Sequence, residues 1–225
     1  MFKIVVCVKQ VPDTAGGVKF KADGTLDRGA MLAIMNPDDK AGLEAALRIK
    51  EKDPENVKVT LLTMGLPKAE DVLIEGIAMG ADDALLVTDR VLGGADTWAT
   101  SSTIAGALKN MEYDLIITGR QAIDGDTAQV GPQVAQKLGL NQVTYAEEIL
   151  KVEDGKATIR RLIDGGVETV EAPLPLVITV NGSAAPCRPC NVKLVMKYKY
   201  ATCPMERKGD EPWANLYEER PYLTL

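Results

Sequence analysis

The chain has 225 residues, of which 46% are hydrophobic and 26% charged, and its 26 Lys and Arg against 32 Asp and Glu give a formal net charge of −6. That length holds one large α/β domain or two small ones around a substantial core, and the acidic balance excludes a general nucleic-acid binder. With no histidine, Ser-His-Asp and Cys-His nucleophiles and histidine-ligated zinc or iron are excluded, so redox or group-transfer chemistry must come from a bound cofactor or a partner.

Ile4-Val5-Val6-Cys7-Val8 is a continuous β-branched run, the pattern of a strand buried on both faces. It is too short for a signal segment, and no run approaches the roughly 20 apolar residues of a membrane span. Four cysteines do not make a secreted disulfide scaffold. The chain reads as cytoplasmic, without membrane insertion. Asn36-Pro37 opens a helix with Leu43, Ala46 and Leu47 on one face. Residues 57–62 form a second strand, and Leu73, Gly76 and Ile77 mark the next helix. Residues 84–87 form a third strand. Asp96-Thr97 and Trp98 open a helix in which Ile104, Ala107, Leu108 and Met111 share a face. Residues 115–118 are a fourth strand, followed by a helix with Val130, Val134 and Leu138. Residues 148–152, 157–163 and 167–171 are short runs separated by Asp154-Gly155 and Asp164-Gly165-Gly166, which are hairpin turn signals. They predict an antiparallel meander over about 145–172. Residues 176–180 return as a fifth strand of the main sheet. The tail, 198–225, carries Pro204, Pro212 and Pro221 and is expected to lie extended on a partner. Strands alternating with helices predict a doubly wound parallel sheet, with one nucleotide-type α/β domain over 1–197.

In such sheets ligands sit outside the carboxyl ends of the strands. Those ends carry Val8 through Asp13, Asn36-Pro37-Asp38-Asp39, Thr63-Met64-Gly65 and a longer segment. That segment is Gly119-Arg120-Gln121-Ala122-Ile123-Asp124-Gly125-Asp126-Thr127-Ala128-Gln129-Val130-Gly131-Pro132. It is a strand, a polar turn of small residues and a helix start, whose free N–H groups suit a phosphate. Gly125 permits close approach, Thr127 can donate a hydroxyl hydrogen bond, and Arg120 can offset anionic charge. Asp124 and Asp126 fit helix capping or acceptance from a ribose or base. The segment is neither a P-loop nor a G-x-G-x-x-G fingerprint, so an ordinary capped loop stays open beside nucleotide binding. For Cys7 and Met64 packing is the plain alternative, for Asn36 helix capping. Trp98 faces the carboxyl end of the third strand and could edge a ligand.

Taken together, residues 4–13, Met35-Asn36-Pro37-Asp38, Ala78-Met79-Gly80-Ala81-Asp82 and Gly119 through Asp126 resemble the electron-transfer flavoprotein β subunit. Asp164-Gly165-Gly166 and Leu174-Pro175 agree, and the resemblance covers most of 1–200. It implies a fold of the adenine-nucleotide α-hydrolase type and a heterodimer with an α subunit. It also implies a nucleotide site at Cys7, Asn36, Asp39, Met64 and Gln121 through Pro132. Family members hold either structural AMP or a second FAD there. AMP-binding members carry bulkier, more acidic residues after the Gln-Ala-Ile-Asp element. The small residues Gly125, Thr127, Ala128 and Gly131 resemble instead the electron-bifurcating branch. In that branch NADH reduces the β-bound FAD. One electron goes to ferredoxin or flavodoxin. The other passes through the α-subunit FAD to an acyl-CoA dehydrogenase-type enzyme. Hydride transfer to flavin needs no protein acid or base, so the missing histidine is no obstacle.

The resemblance also makes residues 183–194 a loop that docks the dehydrogenase, with Val192 as the apolar anchor. Lys193, Lys197 and Lys199 read alternatively as a solvated face. Cys187-Arg188-Pro189-Cys190 has redox or metal spacing, but a tetrahedral zinc needs two more thiolates, and only Cys203 and Cys7 remain. β subunits of the family run longer, so the chain is expected to stop short of a final arm. Two rivals differ in class. A non-redox adenine-nucleotide module has no need of the meander and tail. A nucleotide-dependent ligase needs a Ser-Gly-Gly-x-Asp-Ser type loop where Lys9-Gln10-Val11-Pro12-Asp13 stands.

Overall fold

A computed structural model describes residues 1–13, 32–184 and 186–201. The five predicted strands of the main sheet are all present: β1 (Phe2–Cys7), β4 (Val57–Met64), β5 (Asp83–Val87), β6 (Leu115–Gly119) and β10 (Leu176–Val180). They run parallel in the order β5-β4-β1-β6-β10. The strand order reverses direction at β1–β6, which puts the switch point of the sheet there. Every residue of β6 and β10 is buried, as a β-branched strand covered on both faces requires.

The helices that cover the sheet follow their apolar spacing. α1 (Pro37–Lys52) and α2 (Glu70–Met79) bury Leu43, Leu47 and Leu73 with Ile4, Val6, Leu61 and Ile117 on one face. α3 (Thr97–Leu108) and α4 (Val130–Leu138) close the other over Val5, Cys7, Leu62, Ile116 and Val177. At roughly 25 cal/mol per Å² of apolar surface removed from water, such fully buried Leu and Ile side chains each contribute about 2 kcal/mol before entropy is counted.

The meander is present and longer than its hydrophobic runs suggest. β7 (Asn141–Glu153) begins parallel to β10 and then pairs antiparallel with β8 (Lys156–Ile163), which pairs with β9 (Gly166–Pro173). The sheet therefore has eight strands, ending in -β10-β7-β8-β9. The first half of β7 lacks period-two alternation because Tyr145 sits at φ 58. The register shifts there, so that Val143 and Ala146, three apart, are both buried. The Asp154-Gly155 turn has φ 48 and 72 at its two residues, as a two-residue hairpin turn of the primed type demands.

Two further elements carry weak sequence signals. β2 (Gln10–Pro12) and β3 (Ala33–Met35) form a short antiparallel ribbon beside the carboxyl end of β1. α5 (Val192–Tyr198) packs on α2, so the end of the expected docking loop is the first turn of a helix. The proline-bearing tail from 202 onward lies outside the described residues. No described helix is long and apolar enough to cross a membrane.

Candidate functional site

At the switch point the first turn of α1 is wedged between strand ends. Asp39 Oδ2 accepts from the Lys9 main-chain N–H at 2.8 Å, and its Oδ1 from the Gly119 N–H at 3.0 Å. One buried carboxyl group thus ties the end of β6 to the second residue beyond β1. Burial pushes the Asp39 carboxyl up to about 7, although hydrogen bonds from Asn36, Lys9 and Gly119 oppose the shift. Asp38, equally buried, accepts from Arg120 Nε at 3.2 Å and from the Gln121 N–H at 3.4 Å. The wedge fits only because two facing residues lack side chains. A Cβ on Gly119 would lie 2.2 Å from Asp39 Oδ1, and one on Gly182 would lie 2.3 Å from Asp38 Oδ1.

Asn36 is wholly buried and holds the long loop rather than capping its own helix with its side chain. Its Nδ2 donates to the Gln121 carbonyl at 2.8 Å, and its Oδ1 accepts from the Ile123 N–H at 3.1 Å. These two bonds fix the root of the loop 121–129. Its far side is held by Lys9, whose Nζ donates to both oxygens of Asp124 at 2.7 and 3.0 Å. Gln121 Nε2 donates to Asp126 Oδ1 at 2.7 Å. The two acids therefore brace the loop. Neither caps α4, whose first turn receives no side-chain hydrogen bond at Gln129.

The loop tip is open. Gly125, Asp126 and Thr127 are exposed, and nothing lies within 4 Å of where a Gly125 Cβ would be. Asp126 and Ala128 both sit in the left-handed region, at φ 51 and 52. Two such residues in a row of three cost of order 1–3 kcal/mol each and cluster where backbone groups are aimed at ligands. They lead directly into the uncapped amides of α4. Gln129 joins the loop to α3, accepting from Thr97 Oγ1 at 2.8 Å. Gly131 is absent of side chain for packing: a Cβ there would lie 2.7 Å from Thr118 Oγ1 and 2.8 Å from Thr179 Cγ2.

The remaining expected residues converge on the same end of the sheet. Cys7 is buried, and burial pushes its thiol up to about 12, so it remains protonated. Met64 and Val130 pack on the same core cluster as Cys7. Beside Met64, Thr63 is buried with its hydroxyl unpartnered among the described residues. Trp98 is 56% exposed, with Lys137 Nζ over its ring. Asp96 Oδ1 caps α3 by accepting from the Ala99 N–H at 2.8 Å, which accounts for that acid without a ligand. Val192 stands apart at the start of α5 and is 75% exposed.

Sequence reasoning singled out Asp39 but gave no role to Asp38, Lys9 or Gly182. Two adjacent acids in a helix's first turn were the available signal. On paper they look like ordinary dipole partners, and only the fold shows them buried against strand-end amides. The donor set as a whole suits a phosphorylated nucleotide: the N–H groups of residues 127–131, which make no hydrogen bond among the described residues, a hydroxyl and two nearby cations, Lys9 and Arg120, which here pair with Asp124 and Asp38.

The electron transfer flavoprotein domain matches residues 23–203 of the chain. The chain is 51% identical over 176 residues to an electron transfer flavoprotein subunit beta of Clostridium acetobutylicum, a match that covers 78% of this chain and 67% of that one. It is also 51% identical over 178 residues to subunit CarD of the caffeyl-CoA reductase-Etf complex of Acetobacterium woodii, covering 79% and 67%. Against the acryloyl-CoA reductase electron transfer subunit gamma of Anaerotignum propionicum it is 51% identical over 180 residues, covering 79% and 66%. The chain thus spans about two thirds of the length of these relatives. It belongs to the electron transfer flavoprotein family, on the β-subunit side.

Proposed function

We propose that the chain is an electron carrier that holds an adenine nucleotide at the carboxyl ends of β1, β4 and β6, and that this nucleotide is FAD rather than AMP. The observation that carries the reading is the loop 121–129. It is fixed at its root by Asn36 and open at its tip, with Asp126 and Ala128 left-handed just before the uncapped first turn of α4. Backbone amides there and the Thr127 hydroxyl are the donors for the diphosphate. Cys7, Asn36, Asp39, Met64 and residues 121–132 enclose the nucleotide, with Asp39 and Asn36 holding the strand ends and loop at fixed separation. Gly125, Thr127 and Ala128 leave the tip free of bulky side chains, which favours the larger dinucleotide. A bound flavin would accept hydride from NADH and release single electrons, chemistry that the histidine-free chain cannot perform itself.

Relatives named as parts of acyl-CoA reductase complexes support an assembly of the bifurcating kind. In it the chain pairs with an α subunit, ferredoxin or flavodoxin takes one electron, and an acyl-CoA dehydrogenase-type enzyme takes the other. The exposed apolar Val192 at the head of α5 is the anchor for that enzyme.

The test is the nucleotide content of the chain purified with its α subunit. Two FAD per heterodimer, bleached by NADH, supports the reading. One FAD and one AMP would overturn FAD in this chain and leave an ordinary carrier. No nucleotide on this chain would overturn the site itself.

A further inference from the structure

The segment between β10 and α5 carries two thiols that the nucleotide reading does not use. Among the described residues Cys187 and Cys190 are free, with Cys187 exposed and Cys190 half-buried. The loop is anchored between them. Arg188 donates from its main-chain N–H and its Nε to Glu44 Oε2, at 3.1 and 2.8 Å, and from Nη1 to Glu51 at 2.6 Å. Glu44 is buried, so this anchor is costly to break. Cys190 lies on the core side, its Sγ 3.8 Å from the Glu75 carbonyl oxygen, and packs on the main core cluster. The Lys40 charge acts to lower both thiols, against the larger effect of burial.

The residue after Cys190, Asn191, is the N-cap of α5. The Asn191 N–H donates to the Ala78 carbonyl at 2.8 Å, and its Oδ1 accepts from the Lys193 and Leu194 N–H groups at 3.0 and 3.4 Å. Any bond made by Cys190 therefore acts directly on the cap of a seven-residue helix that exposes Val192, Val195 and Met196. So short a helix has little stability of its own and depends on its cap and its packing.

We propose that Cys187 and Cys190 are a reversible dithiol–disulfide pair, oxidised by low-molecular-weight disulfides, and that closure of the bridge changes the stability of α5. The exposed Cys187 thiolate attacks the small disulfide, forms a mixed disulfide and expels one thiolate. The Cys190 thiolate then attacks the Cys187 sulfur, closes the bridge and expels the second. Two protein thiols lose two electrons and two protons, and one small disulfide becomes two thiols. Burial raises both thiols, so the exchange is slow at neutral pH and accelerates toward alkaline pH. Closure takes the Cys190 sulfur from the Glu75 carbonyl and pulls on Asn191 from one side while Arg188 holds the loop from the other. None of this rests on the nucleotide or on what α5 docks, so its failure leaves the proposed function untouched.

The experiment uses the full chain bound to its α subunit, incubated with glutathione disulfide and then with excess dithiothreitol. Peptide mapping is expected to show a bridge within the 187–190 peptide that dithiothreitol removes. Amide exchange in α5 is expected to change at least about fivefold between the two states. Cys190→Ser is expected to accumulate a glutathione adduct on Cys187, and Cys187→Ser to leave Cys190 unmodified over the same period. A stable glutathione adduct on Cys187 of the native chain, a bridge to Cys203, or a closed bridge with unchanged α5 exchange would each overturn the proposal.

Discussion

Gly119→Ala tests the wedge at the centre of the site. The added Cβ would lie 2.2 Å from Asp39 Oδ1, 2.7 Å from the Asp39 nitrogen and 2.8 Å from the Asp38 carbonyl carbon. The first of these atoms could swing aside. The other two are main chain of the first turn of α1, and only a shift of the helix relieves them. Overpacking of a core contact costs about 1–3 kcal/mol. The shift also stretches the 3.0 Å bond from the Gly119 N–H to Asp39, and a hydrogen bond to a charged group is worth about 1.5–3 kcal/mol. The two add to about 2.5–6 kcal/mol, or a fall of about 5–24 °C in Tm for a chain of this size. Urea and thermal unfolding of the full-length chain, followed by circular dichroism, measure it. Gly106→Ala is the control, because Gly106 is exposed within α3 and nothing lies within 4 Å of its missing Cβ. There the substitution raises stability by about 0.5–1 kcal/mol through helix propensity. A Gly119→Ala chain within about 1 kcal/mol of wild type would refute the reasoning, since the helix and strand would then have slack that the geometry denies.

Three further outcomes are expected. Asp39 has its folded-state pKa raised from 3.8 to about 7, so its stabilisation is complete below about pH 4 and is lost as pH rises to about 7, by at most about 4 kcal/mol. Asp39→Asn therefore flattens the pH dependence of unfolding in that window, and parallel curves for the two chains contradict this. Arg188→Ala leaves the buried Glu44 with Arg48 as its remaining cation and costs about 2–4 kcal/mol at neutral pH. Burial raises the Glu44 carboxyl, but bonds from Arg188 and Arg48 outweigh it and hold it below its usual value; the loss is therefore largest above the unfolded pKa and shrinks as acid protonates Glu44, which denaturation at several pH values reads directly. Gly182→Ala displaces only the end of the Asp38 side chain, so it costs about 1–2 kcal/mol. Its larger effect is to free Arg120, and a nucleotide content equal to wild type would show that Arg120 has no part in binding.

Most of the sheet was legible because its strands are buried on both faces and read as unbroken apolar runs, as β6 and β10 show. The hairpin turns were legible for a different reason: Asp154-Gly155 is chemistry that only a left-handed turn rewards. The first half of β7 was not, because the bulge at Tyr145 turns alternation into a spacing of three. α5 was not, because seven residues span only two turns, too short a stretch for the spacing of Val192, Val195 and Met196 to stand out as a helical period. At the site, the positions of Asn36, Asp39 and the loop were legible as strand-end residues. The bonding was not. Asn36 looks like a helix cap, yet its side chain holds a loop some 85 residues away in sequence, and Asp124 looks like a cap yet pairs with Lys9. Local chemistry nominates a residue for its commonest local role, and at a switch point the partners come from other strands.

The two halves of the site differ in how firmly they are built, and the difference bears on what the proposed nucleotide would do for the protein. On the α1 side every polar group has a partner inside the fold: Asp39 holds two strand-end amides, Asp38 holds Arg120, and Asn36 holds the loop root. On the α4 side the loop tip is exposed, two residues sit in strained left-handed backbone, and the first turn of the helix lacks a side-chain cap. Strain and uncapped amides persist only when something else favours them. An anion seated on those amides favours them, and the free energy it contributes to binding also stabilises the fold, in proportion to RT ln(1 + [L]/Kd). At 100 times the Kd that is about 2.7 kcal/mol, comparable to the strain of the loop. On the proposed reading the rigid half sets where the nucleotide sits and the nucleotide in turn completes the loose half, so the loop 121–129 and α4 are where loss of ligand would be felt first.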